Sequence, residues 1–99
     1  LVKMNLDRTN ITSIRTGRGC ARNISSEWGR FVVTTMEIPW KVTKDVVGGV
    51  PEKVIMVETM EESWLNEMLT NLPECETVVG IGGGQAIDMA KFISWKKGI

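Results

Sequence analysis

Three consecutive glycines, Gly82, Gly83 and Gly84, follow an apolar run and stand directly before a helical pattern that begins at Gln85. Glycine permits positive φ and lets a ligand approach the bare backbone, and a helix N-terminus offers unpaired N–H donors and the positive end of the helix dipole. The sequence therefore predicts a site for a phosphate or pyrophosphate at this loop. Glycines also occur in such turns because close packing of a helix on a strand demands small residues, so spacing alone leaves both interpretations open.

The glycine loop differs from two well-known phosphate-binding patterns. A P-loop has Lys followed by Ser or Thr after its last glycine, whereas this chain has Gln85 there. The standard dinucleotide fingerprint GxGxxG would need a glycine at position 85 and normally follows the first strand of the sheet. The loop by itself indicates an anion-binding module without identifying its ligand.

The composition removes several kinds of catalytic site. The 99 residues include no histidine, which is the usual general base and the commonest metal ligand. A Ser-His or Cys-His nucleophile and a histidine zinc site are therefore excluded within this chain. Cys20 and Cys75 are too far apart in sequence for a CxxC redox pair or a zinc knuckle, and we expect both to be reduced, partly buried thiols.

Charge and hydropathy exclude further classes of partner. Lys plus Arg and Asp plus Glu both number 12, and no run of five like charges occurs, so no basic footprint for nucleic acid is present. No apolar stretch approaches the roughly 20 residues that a membrane span needs. We expect a cytoplasmic protein that binds neither nucleic acid nor membrane. The length is small for a complete enzyme, and the first residue is Leu, so we also expect a piece of a longer protein.

The elements that must position the glycine loop follow from the apolar pattern. Runs rich in β-branched residues predict strands at residues 11–15, 31–35, 54–57 and 77–81. The last three runs are nearly continuous rather than alternating, as in strands that helices cover on both faces. Helices are predicted at residues 20–28, 41–47, 61–72 and 85–97.

This alternation predicts an α/β fold, specifically a Rossmann-like open parallel sheet with helices on both faces. In such sheets ligands bind beyond the carboxyl ends of the strands, which here means the loops after Thr35, Val57 and Ile81. Trp40, which follows Pro39, is expected in the first of these loops, where it could flank an adenine or pack against the protein.

The string GIGGGQAIDMAK, residues 80–91, resembles the GGGSxxDxxK signature of a dehydrogenase superfamily. That superfamily unites iron-containing alcohol dehydrogenases, glycerol dehydrogenase, glycerol-1-phosphate dehydrogenase and dehydroquinate synthase. The string looks most similar to the glycerol-1-phosphate dehydrogenase-like branch. Upstream, Gly17, Arg18 and Gly19 look like the superfamily's GxGxL motif, and the strand at 31–35 looks like its VLLVTD strand.

The resemblance implies that residues 1–99 are a partial N-terminal nucleotide-binding α/β domain. Members of the superfamily bind NAD or NADP in this domain and hold a divalent catalytic metal, Zn or Fe, in a C-terminal helical domain that is absent from this chain. The parent protein would be an NAD(P)-dependent oxidoreductase acting on a polyol, a polyol phosphate or an alcohol. The 99-residue chain alone would be inactive, and we expect a homo-oligomer or an association of fragments.

Two alternative functions stay open. One is a dehydroquinate synthase-like lyase fragment, although that branch typically reads GGGVxGD and this chain has Ile87 directly before Asp88. The other is a stand-alone, non-enzymatic nucleotide-binding module.

Residue roles also follow from the resemblance. The backbone N–H groups of Gly82, Gly83 and Gly84 would hold the pyrophosphate, with Gln85 at the position where Ser is common. Asp88 and Lys91 match the family's Asp and Lys, which implies contacts with the substrate.

Two of these assignments compete with a simpler interpretation. Asp88 and Lys91 could instead form a weak, solvated i,i+3 ion pair on the helix surface. Glu37, after the strand at 31–35, is the candidate acid for the adenosine ribose, which would favour NAD over NADP. It is equally compatible with a solvated loop carboxylate.

Overall fold

A computed structural model describes residues 2–4, 11–14 and 21–99 of the chain, with side chains in the last range. The described strands are β1 (Val2–Met4), β2 (Ile11–Ile14), β3 (Phe31–Thr35), β4 (Lys53–Met56) and β5 (Thr77–Ile81). The described helices are α1 (Glu37–Val47), α2 (Glu62–Thr70) and α3 (Gly84–Lys97), preceded by a short 3-10 helix, Ile24–Glu27. Gly17, Arg18, Gly19 and Cys20 lie outside the described residues.

Strands β3, β4 and β5 form a parallel sheet in the order β4-β3-β5. Thr35, the last residue of β3, is in register with Met56 on one side and Ile81 on the other, so the three carboxyl ends meet at one edge. The α/β class and the Rossmann-like open parallel sheet are thereby confirmed. The strand predicted at 11–15 is present as β2, but it pairs antiparallel with β1, which the sequence pattern did not predict.

Helices cover the parallel sheet on both faces. Helices α2 and α3 lie on one face, where the buried apolar residues are Val32, Ile55, Val57, Leu65, Met89 and Ile93. The other face buries Phe31, Val33 and Val79 against Trp28 and against Trp40 of α1. The helix predicted at 61–72 is present as α2, where Leu65 is buried and its apolar neighbours on the helix pack against the same core.

Helix α1 begins four residues earlier than the predicted start at residue 41, so the placement of Trp40 in a loop is wrong. Pro39 is the third residue of this helix. A proline is tolerated in the first helical turn, where its missing N–H has no intrahelical acceptor to lose. At the other end the helix stops at Gly48, whose φ of 72° suits glycine.

Within the helix predicted at 20–28, the described residues form a turn at 21–23 followed by the 3-10 helix. Within the described residues no helix has both the length and the apolar character needed to cross a membrane. The cytoplasmic location stays a prediction.

Candidate anion-binding site at the glycine loop

The glycine loop lies at the point where the connections of the sheet change direction. Strand β3 is central, and the chain leaves it through α1 to reach β4 on one side, then returns through α2 to β5 on the other. The carboxyl ends of β3 and β5 are therefore neighbours, while the helices that follow them, α1 and α3, lie on opposite faces. In open α/β sheets this topological switch point is where ligands bind.

Two threonines of β3 anchor the glycine loop at both of its ends. The Thr35 hydroxyl donates to the Ile81 carbonyl oxygen at 2.8 Å, directly before the loop. The Thr34 hydroxyl donates to the Ala86 carbonyl oxygen at 2.7 Å, in the first turn of α3. Both threonine side chains are completely buried; the Thr34 hydrogen bond is buried as well, whereas the Thr35 hydrogen bond is partly buried. The start of α3 is thus held in place against the central strand.

The first two glycines of this region are required by the fold. A Cβ on Gly80 would lie 3.0 Å from both Ala90 Cβ and Ile87 Cα, so Gly80 allows α3 to approach β5 closely. Gly82 has a φ of +128°, which side-chain-bearing residues rarely adopt, and a Cβ there would lie 3.2 Å from Pro39 Cγ. Helix–strand packing and backbone conformation account for both glycines.

The next two glycines are not required in this way. A Cβ added to Gly83 or to Gly84 would meet no atom of the described residues within 4 Å. Gly83 has φ −80° and ψ −172°, an extended conformation open to any residue, and Gly84 is the first residue of α3. Both are exposed. In the described part of the chain, neither packing nor backbone conformation therefore requires a glycine at these two positions.

Among the residues that the structure describes, no side chain caps the N-terminus of α3. Gly83 is the N-cap residue and has no side chain to accept from the first-turn N–H groups. The first intrahelical hydrogen bond here runs from the Ile87 N–H to the Gly83 carbonyl oxygen, at 3.3 Å, so the preceding N–H groups have no intrahelical acceptor.

The other helices differ from α3 in their first turn. Of the three α-helices that the structure describes, α3 alone lacks an acidic residue there, whereas α1 has Glu37 and α2 has Glu62. An anion would complement both the free donors and the dipole at the start of α3.

The residues predicted from the sequence lie at different distances from this helix end. Gln85 is exposed in the first turn of α3, and Glu37 is exposed as the first residue of α1, at the end of the neighbouring strand. Asp88 and Lys91 lie further down α3, about 6 Å and 10 Å along the helix axis from Gly84 at 1.5 Å per residue. The fold brings the glycines, Gln85 and Glu37 to one edge of the sheet, and it sets Asp88 and Lys91 back from that edge.

Asp88 and Lys91 do not form the i,i+3 ion pair that the simpler interpretation proposed. Both side chains are exposed, and in the described part of the chain neither takes part in an ion pair. Both charges are therefore available for contacts outside the described residues.

Sequence reasoning missed the residues that position the loop, which are Thr34, Thr35 and Pro39. A signal for the threonines was present, because two polar residues end an otherwise apolar strand whose residues are all buried. Buried hydroxyls need hydrogen-bond partners, and the carbonyls of the adjacent loop supply them. Trp40, by contrast, is partly buried against the apolar face of the sheet and is part of the core.

Cys75 lies at the opposite, amino edge of the sheet, two residues before β5 begins. It is a free, partly buried thiol, as the sequence predicted, and burial raises its pKa above that of an ordinary cysteine. The neutral thiol is the favoured form, which makes Cys75 a poor nucleophile at neutral pH. It has no part in the candidate site.

Comparison of this chain with known protein families, with curated proteins and with solved structures finds no match. The superfamily resemblance therefore rests on the residues quoted from the sequence.

Proposed function

We propose that this chain is the cofactor-binding part of an NAD(P)- and metal-dependent dehydrogenase that acts on a polyol, a polyol phosphate or an alcohol. The dinucleotide pyrophosphate would lie at the N-terminus of α3, over Gly83 and Gly84. The observation that carries the proposal is the open, uncapped start of α3, where two glycines serve neither packing nor backbone conformation.

Those two glycines add little to the stability of the isolated chain. At an N-cap, glycine is roughly a few tenths of a kcal/mol less favourable than Ser, Thr, Asn or Asp, and it leaves the first-turn N–H donors to water. Close packing, the simpler explanation for a glycine-rich turn, applies to Gly80 and Gly82 and not to this pair. A ligand whose oxygen atoms approach the backbone would account for both.

The position of the loop favours a dinucleotide over a small anion. Strands β3 and β5 are neighbours in the sheet, so the start of α1, where Glu37 is exposed, lies at the same edge as the glycine loop. A carboxylate at the end of a neighbouring strand suits the hydroxyls of an adenosine ribose and repels a 2′-phosphate, which favours NAD. Asp88 and Lys91, which are exposed on α3, are proposed to contact the substrate.

The catalytic metal is not assigned to this chain. Within the described residues no cluster of three His, Cys, Asp or Glu side chains is placed to hold a metal ion. The Zn or Fe that polarises the substrate hydroxyl would belong to the C-terminal helical domain of the parent enzyme. The role proposed for this chain is to bind and orient the cofactor.

The proposal is tested by titrating the chain with NADH and following energy transfer from tryptophan to the nicotinamide. Gly83→Asp places a carboxylate where the pyrophosphate would lie, and we expect it to abolish saturable binding. Ser26→Asp is the matched control, because it makes the same charge change at an exposed position beside the amino edge of the sheet. NAD and NADP added as competitors would establish which cofactor is preferred.

Three results would contradict the proposal. One is a folded chain that shows no saturable binding up to millimolar NADH. Another is binding that Gly83→Asp leaves intact. The third is displacement of NADH by inorganic pyrophosphate as effectively as by NAD, which would mean that the loop binds an anion without recognising a nucleotide.

A further inference from the structure

Helix α1 is apolar on two opposite sides. On its inner side, Trp40 packs against the core of the sheet and Val47 is buried. Its outer side carries Ile38, Val42 and Val46, which are spaced four residues apart and are 74%, 69% and 40% exposed. At 100° per residue these three side chains form one continuous stripe along the length of the helix. We call Ile38, Val42 and Val46 the outer stripe.

An outer stripe of this kind is unusual for a helix that has solvent on one side. Surface helices carry polar residues on the side away from the core, whereas helices apolar on both sides are covered on both sides. Scattered exposed valines need no explanation, but three large aliphatic side chains in one row form a contiguous patch. The outer stripe therefore has the character of a contact surface.

The charges beside the outer stripe indicate what covers it. Lys41 and Asp45 are both exposed and both lie along the same side of the stripe, one helical turn apart. In the described part of the chain neither forms an ion pair. These two are the charges of α1 nearest the stripe, since the exposed Glu37 and Lys44 lie farther round the helix. When two copies run antiparallel, Lys41 of one copy lies opposite Asp45 of the other.

We propose that the outer stripe binds a second copy of this chain through a two-fold axis that passes beside Val42. In this arrangement Ile38 packs against Val46 of the partner subunit, and Val42 meets its own counterpart. Lys41 lies against Asp45 of the partner subunit, and the two-fold axis generates a second, equivalent ion pair. The contact is isologous, so it closes at a dimer.

The proposed dimer is weak and reversible. One 11-residue helix per subunit supplies the contact, which is less than the roughly 800 Å² per partner of a standard stable interface. Ile38 lies beside Glu37 at the start of α1, but the inference rests on the exposed aliphatic row and its flanking charges, so it does not depend on nucleotide binding. NADH titration and measurement of the oligomeric state can therefore fail independently.

Sedimentation velocity from micromolar to millimolar chain tests the proposal. We expect a monomer–dimer equilibrium that Val42→Lys weakens at least tenfold, because it brings two like charges together at the two-fold axis. Trp95→Lys is the matched control. Trp95 is 70% exposed, close to the 69% of Val42, and it belongs to α3 on the opposite face of the sheet. Trp95→Lys should leave the equilibrium unchanged. Circular dichroism of each variant would confirm that it is folded.

A charge exchange tests the antiparallel register. Lys41→Asp alone and Asp45→Lys alone each place like charges across the interface and should weaken dimerisation several-fold at low salt. The double variant restores opposite charges and should recover the affinity of the original chain. A folded chain that is monomeric throughout the concentration range overturns the proposal, as does a dimer that Val42→Lys leaves intact. If the double variant does not regain the original dimer affinity, the antiparallel register is overturned.

Discussion

Four glycines, all within positions 80–84, fall into two pairs with different structural roles. Gly80 and Gly82 are closely packed. Ala90 and Ile87 lie against Gly80, and Pro39 lies against Gly82. At Gly83 and Gly84, directly after them, an added Cβ would have no atom within 4 Å in the part of the chain that the structure describes. The first pair makes the close approach of helix and strand possible, and the second pair keeps the start of α3 accessible. A glycine-rich loop is therefore not one feature but two, with different consequences for mutation.

The largest effect should come from Gly80→Val, which tests the packed pair. Valine is favoured in strands. Here, however, its Cβ would lie 3.0–3.1 Å from Ala90 Cβ, Ile87 Cα and the Ala86 carbonyl oxygen. Two of those neighbours are backbone atoms, which cannot move without shifting α3. We expect a loss of about 3 kcal/mol in the free energy of unfolding, measured by urea denaturation. An unchanged unfolding midpoint would mean that α3 does not approach β5 this closely.

Gly82→Ala should cost less, about 2 kcal/mol, and for a different reason. Its φ of +128° is strained for any residue with a Cβ, and the new methyl would also crowd Pro39. Pro39→Ala in the same chain removes the crowding but not the backbone strain. We expect the double variant to recover only part of the lost stability in urea denaturation. Full recovery would show that crowding alone fixes Gly82.

Thr34→Val tests the hydrogen bond that holds the start of α3 against β3. The substitution keeps the shape of the side chain and removes the hydroxyl that donates to the Ala86 carbonyl oxygen at 2.7 Å. We expect a loss of about 1 kcal/mol, the usual net contribution of a buried hydrogen bond. Thr43→Val is the control, because its hydroxyl bonds the Pro39 carbonyl one turn back in its own helix, where such bonds add little. Equal losses in thermal or urea unfolding would argue against a special role for Thr34.

The fold was largely predictable from the sequence because its signals are local. Continuous β-branched runs mark β3 and β5, and the acids and apolar stripe of α2 mark a helix. The start of α1 was misplaced because Pro39 was read as part of a loop, whereas proline fits the first turn of a helix. Strand β1 was missed because its three residues are too few to show a period.

The candidate site was predictable only in part, for a physical reason. The glycine run before a helix indicates an anion site, but it does not say which glycines serve the fold. That distinction depends on Pro39, Ile87 and Ala90, which are brought to the loop by tertiary packing. The hydrogen bonds of Thr34 and Thr35 depend on the register between β3 and β5, which also cannot be read from a local pattern.

The smallest effect on stability should come from Gly83→Asp, and its sign should be opposite. The backbone at Gly83 is extended, which is the usual N-cap conformation, and an aspartate there can accept from the free first-turn N–H groups of α3. Its charge also complements the helix dipole. We expect a gain of about 0.5 kcal/mol, or about 3 °C in Tm for a domain of this size.

The same substitution should abolish NADH binding, because the carboxylate would take over the donors that the pyrophosphate needs. Stability and binding would then change in opposite directions in one variant, measured by thermal unfolding and by the NADH titration. A loss of both would instead mean that Gly83 is needed for folding, like Gly80 and Gly82. The division of the loop into a packed pair and an open pair would then be wrong, and with it the main support for a ligand at the start of α3.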